Sequence, residues 1–297
     1  MTMSIEVRDL ELRYGNVTAL DRLSFRLDGG KIHGLLGRNG SGKTSLLSVM
    51  AAFRRATSGD AWIDGQPVFE NPDVASDICF IRGEGDTVVH DWPADRVKDA
   101  LAFASTFRPA WDSDYATALV DRFRLPLKKR LGQLSRGQRS ALGITLGLAS
   151  RAPLTMFDES YLGMDAPSRY VFYDELLADF MAHPRTFVIS THLIEEVSSL
   201  FEEVVIIDEG QLVLHESAEE LRARGAAVTG PTEQVARFAQ GLTILGDKQL
   251  GPTRSVMVYG ELDDGQIELA RESGLELGPI ALQDLFVHLT ESRGRTS

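Results

Sequence analysis

The chain has 297 residues and a formal net charge of -12, with 43 Asp and Glu against 31 Lys and Arg. Acid spread along the chain argues against broad nucleic-acid binding, which needs a basic face, and the short run Lys128-Lys129-Arg130 does not supply one. A 43% hydrophobic content supports a sizeable core in one large domain plus a small one, and the single cysteine, Cys79, excludes a disulfide framework and fits a reducing cytoplasm.

Residues 1–8 carry no apolar signal core. Alternating apolar positions at Ile5, Val7, Leu10, Leu12 and Tyr14 predict a strand, and the pattern resumes over 19–27 after Gly15-Asn16. Asp28-Gly29-Gly30 is a turn, and 32–36 reads as a buried strand. Next comes Gly37-Arg38-Asn39-Gly40-Ser41-Gly42-Lys43-Thr44, which fits G-x-x-x-x-G-K-[ST], then a helix-compatible stretch, 45–53. Strands are expected at 62–65, ending in a turn, and at 78–81. Near Gly83 the character changes, and 93–149 is mostly helix-compatible, with turns at Arg108-Pro109 and Leu125-Pro126. Strand signals return at 154–157, 186–190 and 204–207. The pattern ends near Gly225, and a tail beyond Gly230-Pro231 mixes a strand-like segment, 256–259, with helical ones at 266–272 and 282–289. No apolar run reaches the length of about 18 residues needed to span a membrane, and the nearest, 142–149, is short and Gly-rich.

The glycines of 37–44 let successive backbone N–H groups converge on one anion at a helix N-terminus. Lys43 is placed to reach terminal phosphates, and Thr44 to offer its hydroxyl to Mg²⁺. Leu154-Thr155-Met156-Phe157-Asp158-Glu159 is an apolar strand ending in two carboxylates, which in an open α/β sheet stand beside the phosphate loop. Asp158 would hold Mg²⁺ through water, and Glu159 would orient and polarise the attacking water. Ser135 with Gln138 in Leu134-Ser135-Arg136-Gly137-Gln138 is a capping box before an apolar helical face. It reads either as a well-capped core helix or as an exposed helix N-terminus that grips a phosphate.

The order Tyr14, GRNGSGKT, LSRGQ, MFDE, then Ser190-Thr191-His192 resembles an ATP-binding-cassette transporter ATPase of the bacterial exporter type, over about residues 4–224. LSRGQ is similar to the family's LSGGQ signature, and residues 158–165, DESYLGMD, to its DEPTSGLD. The resemblance implies a P-loop NTPase core, α/β, with a mixed sheet, an N-terminal antiparallel β subdomain and a helical signature subdomain at about 85–150. Residues 1–224 would form the nucleotide-binding domain and 225–297 a small α+β accessory domain. It further implies that Tyr14 stacks on adenine and that Ser45 continues the phosphate loop. His192 becomes the switch histidine at the γ-phosphate and Asp165 the aspartate of the loop after the acidic pair. Two cassettes, identical or different, would pair head to tail, with ATP and Mg²⁺ on Lys43 of one covered by Ser135, Gly137 and Gln138 of the other. The expected partners are that second cassette and a transmembrane permease, with the chain peripheral on the inner face of the cell membrane and no nucleic acid bound. The insertion, with Asp91-Trp92-Pro93 and the aromatics of 103–111, is where such a permease would dock, unless those aromatics form the insertion's own core. The tail resembles the extension of drug-exporter cassettes.

Three positions depart from the family. No glutamine follows the 78–81 strand, where Arg82-Gly83-Glu84 stands; either Glu84 substitutes as an oxygen donor or the contact is absent. Arg136 replaces a glycine, facing phosphate or solvent, and Ser160 replaces a common proline, which alters loop stiffness. Competing expectations are a soluble cassette ATPase acting on nucleic acid or the ribosome, and a nucleotide-gated module with negligible turnover.

Overall fold

The apolar runs at 32–36, 154–157 and 186–190 become adjacent strands of one sheet, in a computed structural model that describes residues 2–83, 93–260 and 262–294. The chain divides into two compact units, Met1–His192 with Leu200–His215, and Leu193–Ser199 with Glu216–Ser297. The second unit therefore starts earlier than the expected division at 224/225 and takes in a short segment from farther upstream. Glu84, the segment before Pro93 and the residues Asp91-Trp92 lie outside the described residues.

In chain order the first unit runs β1 (Ile5–Tyr14), β2 (Val17–Leu27), β3 (Ile32–Leu36), α1 (Lys43–Met50), β4 (Ser58–Ile63), β5 (Gln66–Pro67), α2 (Pro72–Ser76) and β6 (Ile78–Arg82). It continues through α3 (Val97–Phe107), α4 (Ser113–Arg122), α5 (Arg136–Ala149), β7 (Leu154–Asp158), α6 (Ala166–Ala182) and β8 (Thr186–Thr191), and after α7 (Ile194–Val197) through β9 (Glu203–Asp208) and β10 (Gln211–Ser217). A four-stranded sheet has the order β2-β1-β4-β5 with antiparallel pairing, and the six-stranded sheet has the order β10-β9-β3-β8-β7-β6. Within the latter, β9-β3-β8-β7-β6 pair in parallel.

Every residue of β3, β7 and β8 is buried, as expected for parallel strands covered on both faces, and this is why they read as unbroken apolar runs. The parallel arrangement carries the ends of β3, β7 and β8 to one edge, so the phosphate loop, Asp158-Glu159 and His192 emerge together. Helix α5 lies deep, with 140–149 buried throughout. Gly147 lets it approach β7: a Cβ there would stand 2.6 Å from the Phe157 ring. The predicted helix at 45–53 begins at Lys43 and stops at Met50. No helix among the described residues is long and apolar enough to cross a membrane.

The second unit contains α7, α8 (Ala218–Ala223), β11 (Gly225–Pro231), α9 (Thr232–Phe238), β12 (Thr243–Leu250), β13 (Thr253–Tyr259), α10 (Asp264–Glu272), β14 (Glu276–Pro279) and α11 (Leu282–Gly294). The run β11-α9-β12-β13-α10-β14, with sheet order β12-β13-β11-β14 and antiparallel pairing throughout, is a ferredoxin-like split βαβ arrangement. Its core is Val228, Val256 and Val258 of the sheet against Val235, Ala239, Ala270 and Leu275.

Candidate nucleotide site

Gly37 follows β3 directly, and the loop closes on α1 through Gly40 and Gly42, with φ of +83° and +104°. Both lie in the left-handed region that favours glycine, and a Cβ on Gly42 would also stand 2.7 Å from the Ala19 carbonyl. Asn39 and Gly40 form the exposed tip, while Ser41 is buried with its Oγ lacking any hydrogen-bond partner. A buried orphan hydroxyl within a glycine-rich loop fits a donor to a phosphate oxygen.

Lys43 folds back over this loop. Its Nζ donates to the Gly37 carbonyl (2.8 Å) and the Arg38 carbonyl (3.1 Å), and stands 3.3 Å from Glu159 Oε1. The same Oε1 lies 3.1 Å from His192 Nδ1. One carboxylate oxygen thus joins the loop lysine to the histidine at the end of β8. Glu159 adopts φ +49°, uncommon for a residue with a side chain and typical of functional turns.

Thr44 Oγ1 donates to Asp158 Oδ2 (2.7 Å), and Ser190 Oγ donates to Asp158 Oδ1 (2.6 Å). A hydroxyl and a carboxylate side by side at the phosphate loop are the donor set Mg²⁺ accepts, since it uses one or two protein oxygens and fills the rest with water and phosphate. No larger cluster of His, Cys, Asp or Glu suited to a metal occurs among the described residues.

Tyr14 is 41% exposed at the end of β1, with its hydroxyl 3.3 Å from Ser45 Oγ. The Arg54 guanidinium lies over its ring at 4.8 Å, a cation–π contact that the sequence did not signal.

The capping box forms: Gln138 N–H donates to Ser135 Oγ and Ser135 N–H to Gln138 Oε1, both at 3.2 Å. These residues are not joined to the Lys43–Glu159–His192 cluster by any described hydrogen bond. Their neighbours Gly137 and Ser140 pack instead on the loop leading to α6. A Cβ on Gly137 would stand 3.0 Å from the Gly163 carbonyl, and Ser140 Oγ donates to the Leu162 carbonyl (2.9 Å). Arg136 lies along that loop as well: a Cβ on Gly163 would come within 3.1 Å of its own Cβ. Asp165 caps α6 by accepting from Ser168 N–H (3.0 Å), and hydrogen bonds from Ser168 hold its carboxyl below the usual range.

At the departures, a Cβ on Gly83 would approach the Asp158 carbonyl to 3.2 Å, while Arg82 donates to Ser48 Oγ (3.2 Å). Ser160, fully buried, donates to the Ile81 carbonyl (2.8 Å) and so ties the acidic loop to β6, a bond proline cannot make. Tyr161, also fully buried, donates to Thr191 Oγ1 and stacks on Phe172.

A phosphate loop, an acidic pair on the neighbouring strand but one and a histidine on the strand between define a P-loop nucleoside-triphosphatase cassette. Residues 20–161 match the family model described as ABC transporter. The chain is 26% identical over 218 residues to the ABC transporter ATP-binding protein YtrB of Bacillus subtilis, covering 73% of each chain. It is 25% identical to the Nod factor export ATP-binding protein I of Burkholderia lata, covering 96% of each. Its fold matches the dimeric post-hydrolysis state of an ATP-binding cassette bound to ADP and Pi, with a TM-score of 0.61 and 19% identity, covering 72% of this chain and 98% of that one. In these residues and in its fold the chain resembles ATP-binding-cassette ATPases.

Proposed function

We propose that this chain is the motor subunit of a membrane exporter, hydrolysing ATP between two cassettes paired head to tail. The observation that carries the reading is the Glu159 carboxylate, held between Lys43 and His192 one residue beyond the Thr44-linked Asp158. ATP phosphates would take the Lys43 ammonium from Glu159 and the loop carbonyls, satisfy Ser41 Oγ, and leave Glu159 to accept a proton from water. Thr44 and Asp158 would hold Mg²⁺, which neutralises phosphate charge when bound. His192 would donate to the γ-phosphate and Tyr14 would stack on the base. Gly137 lies on its own chain's Gly163 loop, and with its neighbours Ser135 and Gln138 it would serve a nucleotide on a second cassette, as would Asp165, whether that cassette is a copy of this chain or a different one. Export is favoured by full-length similarity to a Nod factor export ATP-binding protein. On this reading 1–224 is the cassette, 225–297 is an accessory domain, and the protein sits at the inner face of the cell membrane against a permease. The exposed Phe103 and Phe107 of α3 are candidate docking residues for that permease.

The test is co-purification of the tagged Glu159→Gln protein from detergent-solubilised host membranes with ATP present. A stoichiometric polytopic membrane protein is expected. Recovery of ribosomes or soluble partners alone would replace the transport reading with a non-transport one.

A further inference from the structure

Ser190 is wholly buried at the end of β8, and its hydroxyl does two things at once. It donates its only proton to Asp158 Oδ1 (2.6 Å), and its lone pair accepts the Glu159 N–H (3.1 Å). The Ser190 carbonyl accepts from the same N–H at 3.3 Å. Asp158 therefore has one oxygen held by Thr44 and the other by Ser190, which fixes the carboxylate plane. The Glu159 backbone is pinned in its left-handed conformation beside it. A hydroxyl supplies one donor together with acceptor lone pairs, and that is the combination a carboxylate and an amide on adjacent residues require.

We propose that Ser190 is a positioning residue for ATP hydrolysis, acting through Asp158 and Glu159 rather than on nucleotide. The inference rests on the roles given to those two carboxylates above. Without the hydroxyl, Asp158 Oδ1 loses a charge-assisted bond in a buried setting, and Glu159 N–H retains only the longer carbonyl contact. The acidic pair then samples orientations in which Glu159 no longer points at water, while the phosphate loop, on the far side of Asp158, keeps its shape.

The test measures ATP turnover against ATP and against Mg²⁺ for full-length wild type, Ser190→Ala and Ser190→Thr, with melting temperatures recorded. For Ser190→Ala, kcat is expected to fall by roughly tenfold to a hundredfold, the scale of one lost hydrogen bond to a charged group. The KM for ATP should stay within about threefold, as for an interaction that matters in the transition state. Half-maximal activity should need more Mg²⁺, and Ser190→Thr, which keeps the hydroxyl, should restore most of kcat. Should Ser190→Ala fail to fold, Ser190→Cys decides, being near-isosteric with a weak donor. Unchanged kcat in the folded variant, or a loss confined to melting temperature, overturns the proposal. Glu159→Gln runs alongside: if it still turns over, the site reading itself fails, whereas an inactive Glu159→Gln beside a normal Ser190→Ala fails Ser190 alone.

Discussion

Replacing Glu159 with glutamine removes a proton acceptor and a charge while keeping the shape, and the two losses have opposite signs for the two halves of the reaction. Turnover should fall by at least about a hundredfold, the usual contribution of a positioned general base. ATP affinity should rise. At 3.3 Å the Glu159 carboxylate attracts Lys43 with roughly 5 kcal/mol of gross Coulomb energy at an effective dielectric near 20. Phosphate must displace that carboxylate from the lysine and then tolerate its charge nearby. Most of the gross term is balanced by solvation and by the loop carbonyls that also hold Lys43, leaving a net gain of about 1 kcal/mol, or somewhat under tenfold in Kd. Titration with a fluorescent ATP analogue at several salt concentrations, paired with a phosphate-release assay, reads both. An unchanged turnover, or a weakened affinity, would refute the argument that this carboxylate both parks on the lysine and activates water.

Other perturbations follow from neighbouring contacts. Arg54→Ala should weaken ATP binding by about threefold through loss of the cation–π brace on Tyr14, and tighter binding would instead mean that the guanidinium occupies the base's side of the ring. Asp179→Ala should destabilise the fold by about 3–5 kcal/mol, because it leaves the largely buried Arg151 and Arg185 without their shared carboxylate; a urea midpoint near wild type would contradict this. Glu203 is held at a pKa of about 2 by a hydrogen bond from His33 and by Lys31, with His215 also facing it. Its folded value is depressed, so its contribution is present above about 4.5 and is lost as pH falls towards 2. Glu203→Gln should therefore flatten the decline of melting temperature across that window, and an unchanged slope would count against it.

The parts of the fold that were legible in the sequence are those with one dominant physical signal. Strands β3, β7 and β8 are buried on both faces and read as apolar runs, and the Ser135–Gln138 capping box marks the start of α5 by chemistry alone. Strands β10, β12 and β14 gave no comparable signal: β12 is largely exposed at a sheet edge and mixes Asp, Lys and Gln into its pattern, so period-two alternation is lost. Gly230-Pro231 reads as a breaker, yet both residues end β11, with Arg254 and Thr253 opposite them. At the site, Lys43, Asp158, Glu159 and His192 were nameable because a motif announces each. Ser190 and Ser160 were visible in or beside those motifs but their bonds were not, since a hydroxyl in an apolar strand or loop acquires meaning only from the carboxylate or carbonyl that the fold sets against it.

The eight residues from Asp158 to Asp165 begin at the chain's own phosphate loop and end against the turn that opens α5, where Ser140 holds Leu162 and Gly137 meets Gly163. In the head-to-tail pair proposed above, that turn would face the neighbour's nucleotide. News of one bound phosphate therefore has less than three helical turns' worth of chain to cover before it reaches the surface that grips the other. It travels along a loop pinned at both ends and in the middle, through Ser160 and Tyr161. Two active sites wired so closely in such a pair would be poorly placed to fire independently, and alternation between them would be a property of this short strap, needing no long-range rearrangement.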